Sequence, residues 1–120
     1  MLRYRRHDNG GGFVESHARV DPTTYVGESA YVDRGAVVGA GARIARGAWI
    51  ERGAVVYAGA TIGTTAHVAS GAVVGRDARI GARAKVGARA HVWDGVRVDS
   101  DSVIPESAVV QAGSQRRHAA

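Results

Sequence analysis

Every sixth residue from Val14 to Val110 is Val or Ile, seventeen positions without a slip. The middle of the run reads Ile44, Ile50, Val56, Ile62. A helix turns about every 3.6 residues and a strand alternates every 2, so a six-residue step carries the apolar position off any one face of a helix but keeps it on one face of a strand. Two residues before most of these positions stands a small residue, from Gly12 and Ala18 through Ala36, Ala42, Ala48 and Ala54 to Ala90, with Val96 the largest exception. Residues two apart in a strand share a face, so the small and the β-branched residue point inward together and the residue between them points out. Three residues after many of the Val/Ile positions comes glycine, at Gly35, Gly41, Gly47, Gly53, Gly59, Gly71, Gly95 and Gly113. Glycine takes positive φ cheaply, which predicts a tight corner after each short strand. One strand and one corner per six residues make a coil.

This period is the hexapeptide repeat of parallel β-helices. On these residues the sequence resembles the hexapeptide-repeat family over about residues 13–113. The resemblance implies an all-β fold, a single-stranded left-handed parallel β-helix shaped as a triangular prism, with three hexads per coil and a little under six coils. The expected organisation is an N-terminal cap over 1–12, the β-helix over 13–113 and a flexible C-terminal tail over 114–120. Glycine-rich HDNGGG before Phe13 suits a cap over the parallel edge that the first coil would otherwise expose. VGAGARI looks like the opening of a dinucleotide fingerprint but lacks its third glycine, and the six-residue corners account for its glycines.

Composition refines this picture. A chain of 120 residues is one domain, and with 17 glycines and 6% aromatics it suits a backbone-dominated fold with small inward residues. The net charge of +5 is carried almost wholly by arginine, Lys85 being the only lysine, and such a balance attracts anions, whether phosphorylated ligands, acidic lipids or nucleic acid. There is no cysteine, which excludes disulfides and thiolate zinc sites. No apolar run approaches membrane-spanning length and MLRYRR is followed by no apolar stretch, so the expected location is cytoplasmic with no membrane partner.

Taking every third hexad sorts the outward residues into three faces. The first carries Phe13, Tyr31, Trp49, His67, Lys85 and Val103; the second Arg19, Val37, Val55, Val73, His91 and Val109; the third Tyr25, Arg43, Thr61, Arg79 and Arg97. On the second face, Val37, Val55, Val73 and Val109 form an apolar ladder of the kind that marks an interface. The resemblance implies a homotrimer, so the ladder is the expected contact with other copies of this chain. His67 and His91 are the candidate general bases, because an imidazole near neutral pH can take a proton from a hydroxyl or amine. Trp49 could stack a planar group such as adenine, and Arg83 or Lys85 could meet phosphates. Trp93 and Asp94 lie beyond His91 at a corner, where the carboxylate, or Glu106 one coil on, could orient the imidazole. His7, His17, His67, His91 and His118 provide no pair five residues apart of the kind found in the family's carbonic anhydrases, so no metal is expected.

These residues support a non-catalytic homotrimeric β-helix, acting as a scaffold or binding a small anionic, nucleotide-like ligand in grooves between subunits. The alternative, implied by the resemblance, is an acyltransferase that uses coenzyme A or acyl-CoA with a histidine base; the long loop and C-terminal helix usual in such enzymes are not expected here. A nucleic-acid binder ranks last, since Arg43, Arg79 and Arg97 make only a thin basic stripe without interleaved aromatics.

Overall fold

The computed structural model describes residues 3–112, and they form a parallel β-helix. Its rungs are two- or three-residue strands, and residues one coil apart, eighteen positions along the chain, pair in parallel register, Trp49 with His67 and His67 with Lys85. The first face stacks six rungs, the second six and the third five. The expectations of fold class and of facing residues are therefore met: Val37, Val55, Val73, His91 and Val109 align on one sheet, and Arg43, Thr61, Arg79 and Arg97 on another. Among the described residues there is no helix, and so none long and apolar enough to cross a membrane. The expected tail over 114–120 lies outside the described residues.

The inward column is what holds the prism together. All the six-step Val and Ile residues except Val20 are buried, and the alanines two residues before them are buried beside them, apart from the partly buried Ala108. A triangular interior this narrow has room for one β-branched and one small side chain per strand, which is why alanine alternates with Val or Ile rather than with anything larger. Backbone bonds tie each coil to the next: Trp49 N–H donates to Ala66 O at 2.9 Å and His67 N–H to Ala84 O at 3.0 Å.

The chain before the first coil closes the open edge. Strand β1 (Tyr4–Arg6) pairs antiparallel with β2 (Phe13–Glu15), and on another face Val26 N–H donates to Asn9 O while Gly12 N–H donates to Val26 O, both at 2.9 Å. Edge groups that would otherwise recruit a foreign strand are satisfied internally.

From residue 29 to residue 107, every sixth residue sits in the left-handed region, and only half of these corners are glycine. Ser29, Thr65, Asp77, Arg83, Arg89, Asp101 and Ser107 occupy the same slot with φ between 55° and 66°. Thr65, at φ 55°, is the costliest, because a β-branched side chain clashes with its own backbone there. The left-handed conformation costs about 1–2 kcal/mol for a non-glycine residue and glycine's extra unfolded-state entropy returns about 0.5–1. Thr65→Gly is therefore expected to raise the unfolding free energy by about 0.5–1 kcal/mol in a denaturant titration; a loss of stability would contradict the corner account.

Candidate functional site

On the first face, one coil of stacking brings together residues far apart in the chain. The Trp49 and His67 rings, outward on adjacent rungs, lie nearly parallel with centroids 4.5 Å apart and planes inclined by 6°. Glu51 stands at the corner just after Trp49 and Ile50. Its carboxylate binds His67 Nε2 through Oε2, and its Oε1 accepts the Ser70 N–H at 3.2 Å. The imidazole is thus fixed by a carboxylate at its edge and by an indole on its face, while both His67 and Glu51 keep about a quarter of their side-chain surface open to solvent. With Nε2 turned to Glu51, Nδ1 is the ring nitrogen left to take a proton. A carboxylate on one nitrogen fixes the tautomer and supports the imidazolium formed when the other is protonated.

The same network continues toward the N-terminus. Trp49 Nε1 donates to Asp33 Oδ2 at 2.6 Å, and Tyr4 Oη donates to Asp33 Oδ1 at 2.7 Å. Tyr4 meets Tyr31 edge-on at 5.4 Å, Tyr31 stacks on Phe13 at 5.0 Å, and the Arg6 guanidinium lies 4.9 Å over the Phe13 ring. An aromatic column therefore runs along this face with a column of carboxylates, Glu15, Asp33 and Glu51, beside it. Glu15 is buried and held below the usual carboxylate range, first by the His17 N–H it accepts at 2.6 Å. Burial, then the bond to Asp33 and that carboxylate's charge, push the Tyr4 hydroxyl up to about 12.

The sequence picked out His67 and Trp49 but not Glu51, Asp33 or Tyr4. The signal was the eighteen-residue spacing of Glu15, Asp33 and Glu51, which puts three acids on one corner of successive coils.

The remaining candidates are arranged differently. Lys85 follows His67 on the same face, one rung on, and has no ion-pair partner among the described residues. Arg83 is engaged by Asp101 through two hydrogen bonds of 2.8 and 3.1 Å, so its guanidinium is not free to meet a phosphate while that pair holds. Asp94 does not orient His91; its Oδ1 accepts the Arg76 N–H at 2.8 Å. Glu106 is paired with Arg89 instead of reaching His91. His91 stacks on Trp93 with centroids 5.7 Å apart, on a different sheet from His67. Of the two candidate bases, only His67 has a carboxylate on its ring.

Comparison with known proteins places these residues in a wider family. The GMPPB C-terminal domain family matches residues 10–117. No curated protein matches the chain. Among solved structures, a mutant of perosamine N-acetyltransferase from Caulobacter crescentus, in complex with CoA and GDP-perosamine, is 22% identical with a TM-score of 0.67 over 80% of this chain and 50% of its own. A putative acetyltransferase from Bacillus cereus is 14% identical with a TM-score of 0.55, covering 87% of this chain and 81% of that one. A hexapeptide transferase family protein from Anaplasma phagocytophilum is 19% identical with a TM-score of 0.52, covering 75% and 70%. The chain spans about half the length of the perosamine enzyme, and at these identities the likeness is one of fold: the β-helix of the hexapeptide-repeat acetyltransferases.

The Asp33 network has a spectroscopic consequence. Tyr4 should ionise only near pH 12 in an ultraviolet pH titration, and Asp33→Asn should bring its titration back toward 10. Because the folded state holds the Tyr4 proton more tightly than the unfolded chain, stability should be full below pH 10 and fall as pH rises toward 12. A Tyr4 that already titrates near 10 in the unsubstituted protein would contradict the bond to Asp33.

Proposed function

The chain belongs to the GMPPB C-terminal domain family, and from its hexapeptide-repeat fold and first-face site we propose that it is an acyl-CoA-dependent acyltransferase with His67 as general base. The observation that carries this reading is the Glu51–His67 pair held flat against Trp49. His67 Nδ1 accepts the proton of an acceptor hydroxyl or amine as that group attacks the acyl carbon, and Glu51 stabilises the imidazolium so formed. The proton can then pass to the departing thiolate. The acyl donor supplies the activated thioester. Trp49, 44% exposed, leaves indole surface on which a planar group can lie, and unpaired Lys85 one rung on can meet a phosphate. That part of the residue set fits coenzyme A; Arg83, engaged by Asp101, contributes only if that exposed pair opens. The acetyltransferases of like fold support the reading by analogy of fold. His91, without an orienting carboxylate, is not assigned the base.

The acting unit in this proposal is a homotrimer joined through the second face. Val37, Val55 and Val73 stand on three successive rungs there, and Val109, 56% exposed, lies beyond His91 on the same sheet. The three adjacent outward valines, Val37, Val55 and Val73, gain from being covered by another copy.

A second reading, the non-catalytic scaffold or ligand binder, is favoured by one feature: among the described residues no loop interrupts the coils to shape a substrate pocket.

Thiol release from acetyl-CoA separates the two, with GDP-perosamine, the ligand of the Caulobacter crescentus structure, as the first acceptor and a panel of amino sugars after it. The protein has no cysteine, so every thiol detected is released coenzyme A. His67→Ala is expected to lower kcat by about 10²–10⁴ and Glu51→Gln by a smaller factor with KM for acetyl-CoA unchanged. Turnover that survives His67→Ala would overturn the assignment. For the assembly, native mass spectrometry should find a trimer that Val55→Asp with Val73→Asp breaks into monomers; a monomeric parent protein would remove the proposed contact.

A further inference from the structure

The seven aromatic side chains of this chain are not scattered. Four stand on the first face and Tyr25 lies under the Arg43 guanidinium on the third. The other two, Tyr57 and Trp93, both occupy the corner after the second face, both are nearly half exposed, and both line one cavity of about 280 Å³. Between them on the same corner is Gly75, one coil from each: Tyr57 N–H donates to Val74 O and Gly75 N–H to Val92 O. The two aromatic residues are therefore two rungs apart, about 9–10 Å at the usual strand spacing, with no side chain on the rung between. A planar ring stacked on both would need about 7 Å, so one fits with modest adjustment of the walls. Gly75 cannot be replaced without shifting the next coil, since a Cβ there would lie 2.4 Å from Asp94 Oδ1 and 2.5 Å from Asp94 N.

The polar lining is also specific. Asp94 and Arg76 both line the cavity; Asp94 Oδ1 is engaged by the Arg76 N–H, while the Arg76 guanidinium has no carboxylate partner among the described residues. His91 backs Trp93, ring to ring, and so holds the indole in place. Two aromatic walls, an empty rung and one unpaired cation make a site for a flat ring that carries an anionic group.

We infer that the Tyr57–Trp93 corner is a second binding site, one that takes a nucleoside phosphate with its base between the two aromatic rings and its phosphate on Arg76. Stacking supplies most of the affinity and is tolerant of base identity, whereas the guanidinium distinguishes a nucleotide from the bare nucleoside. Within the chain, the site stands on a different corner from Glu51 and shares no residue with the His67 site.

Fluorescence tests it, because the chain has two tryptophans and Trp49→Phe leaves Trp93 as the sole indole. AMP, GMP, CMP and UMP are titrated as probes, each beside its nucleoside. At least one monophosphate should quench Trp93 emission saturably. Arg76→Ala should weaken that monophosphate at least tenfold and leave its nucleoside unchanged, while Tyr57→Ala should weaken both. Calorimetry on the unsubstituted protein should return the same affinity, which covers any effect of Trp49→Phe on folding. Absence of saturable binding by all four, or binding indifferent to Arg76→Ala and Tyr57→Ala, would overturn the site. Thiol release at His67 is a separate readout, so either proposal can fail alone.

Discussion

The structure depends on the backbone bonds that pass from each coil to the next. Trp49 N–H reaches Ala66 O, His67 N–H reaches Ala84 O and Lys85 N–H reaches Ser102 O, each to the residue just before the matching strand one coil on. These bonds can be kept only if every coil uses the same number of residues, so a single-residue slip would turn outward side chains into the core and leave the ladder unpaired. The period of Val and Ile is the sequence image of that constraint. It also decides which surface residues meet, because side chains about one coil apart in sequence become neighbours on the surface.

That rule explains how the first-face site is built. Trp49 and His67 are strand residues in register, so their rings stack as cross-strand neighbours do. Glu51 follows its strand at a corner, sixteen residues before His67, and the coil's return brings its carboxylate to the ring's edge. Asp33 repeats the arrangement one coil earlier, where its partner is the indole N–H of Trp49. One geometric device, a corner acid serving the outward residue of the following coil, thus occurs twice; only at His67 does it meet a group able to carry a proton near neutral pH. The exposed corner pairs, Arg83 with Asp101 and Arg89 with Glu106, follow the same one-coil logic but tie up cations instead of preparing a base.

The fold was legible because its signal is redundant. Seventeen phased Val and Ile residues, alanine before them and glycine after many of them state the same coil independently, and the three outward faces followed from counting alone. Corners were half legible: glycine marked seven of them, but Thr65 and Arg83 take the same backbone conformation with side chains that give no hint of it, because neighbouring coils hold the corner in shape. The site was legible where a residue sits on a strand and obscure where it sits on a corner. His67 and Trp49 could be placed by counting, whereas the direction in which Glu51, Asp94 or Glu106 turns is decided by local contacts. Glu51 turned to His67, Asp94 to the Arg76 backbone and Glu106 to Arg89.

The central claim is that coil stacking makes His67 a base poised by Glu51. Nitrogen-15 chemical shifts of the His67 imidazole test it most directly, since they report which ring nitrogen carries the proton and whether that proton is hydrogen bonded. A neutral ring protonated at Nε2, with a shift that moves when Glu51 is replaced by Gln, is the result this account predicts. A ring protonated at Nδ1, or one whose shifts ignore the Glu51 substitution, would contradict it.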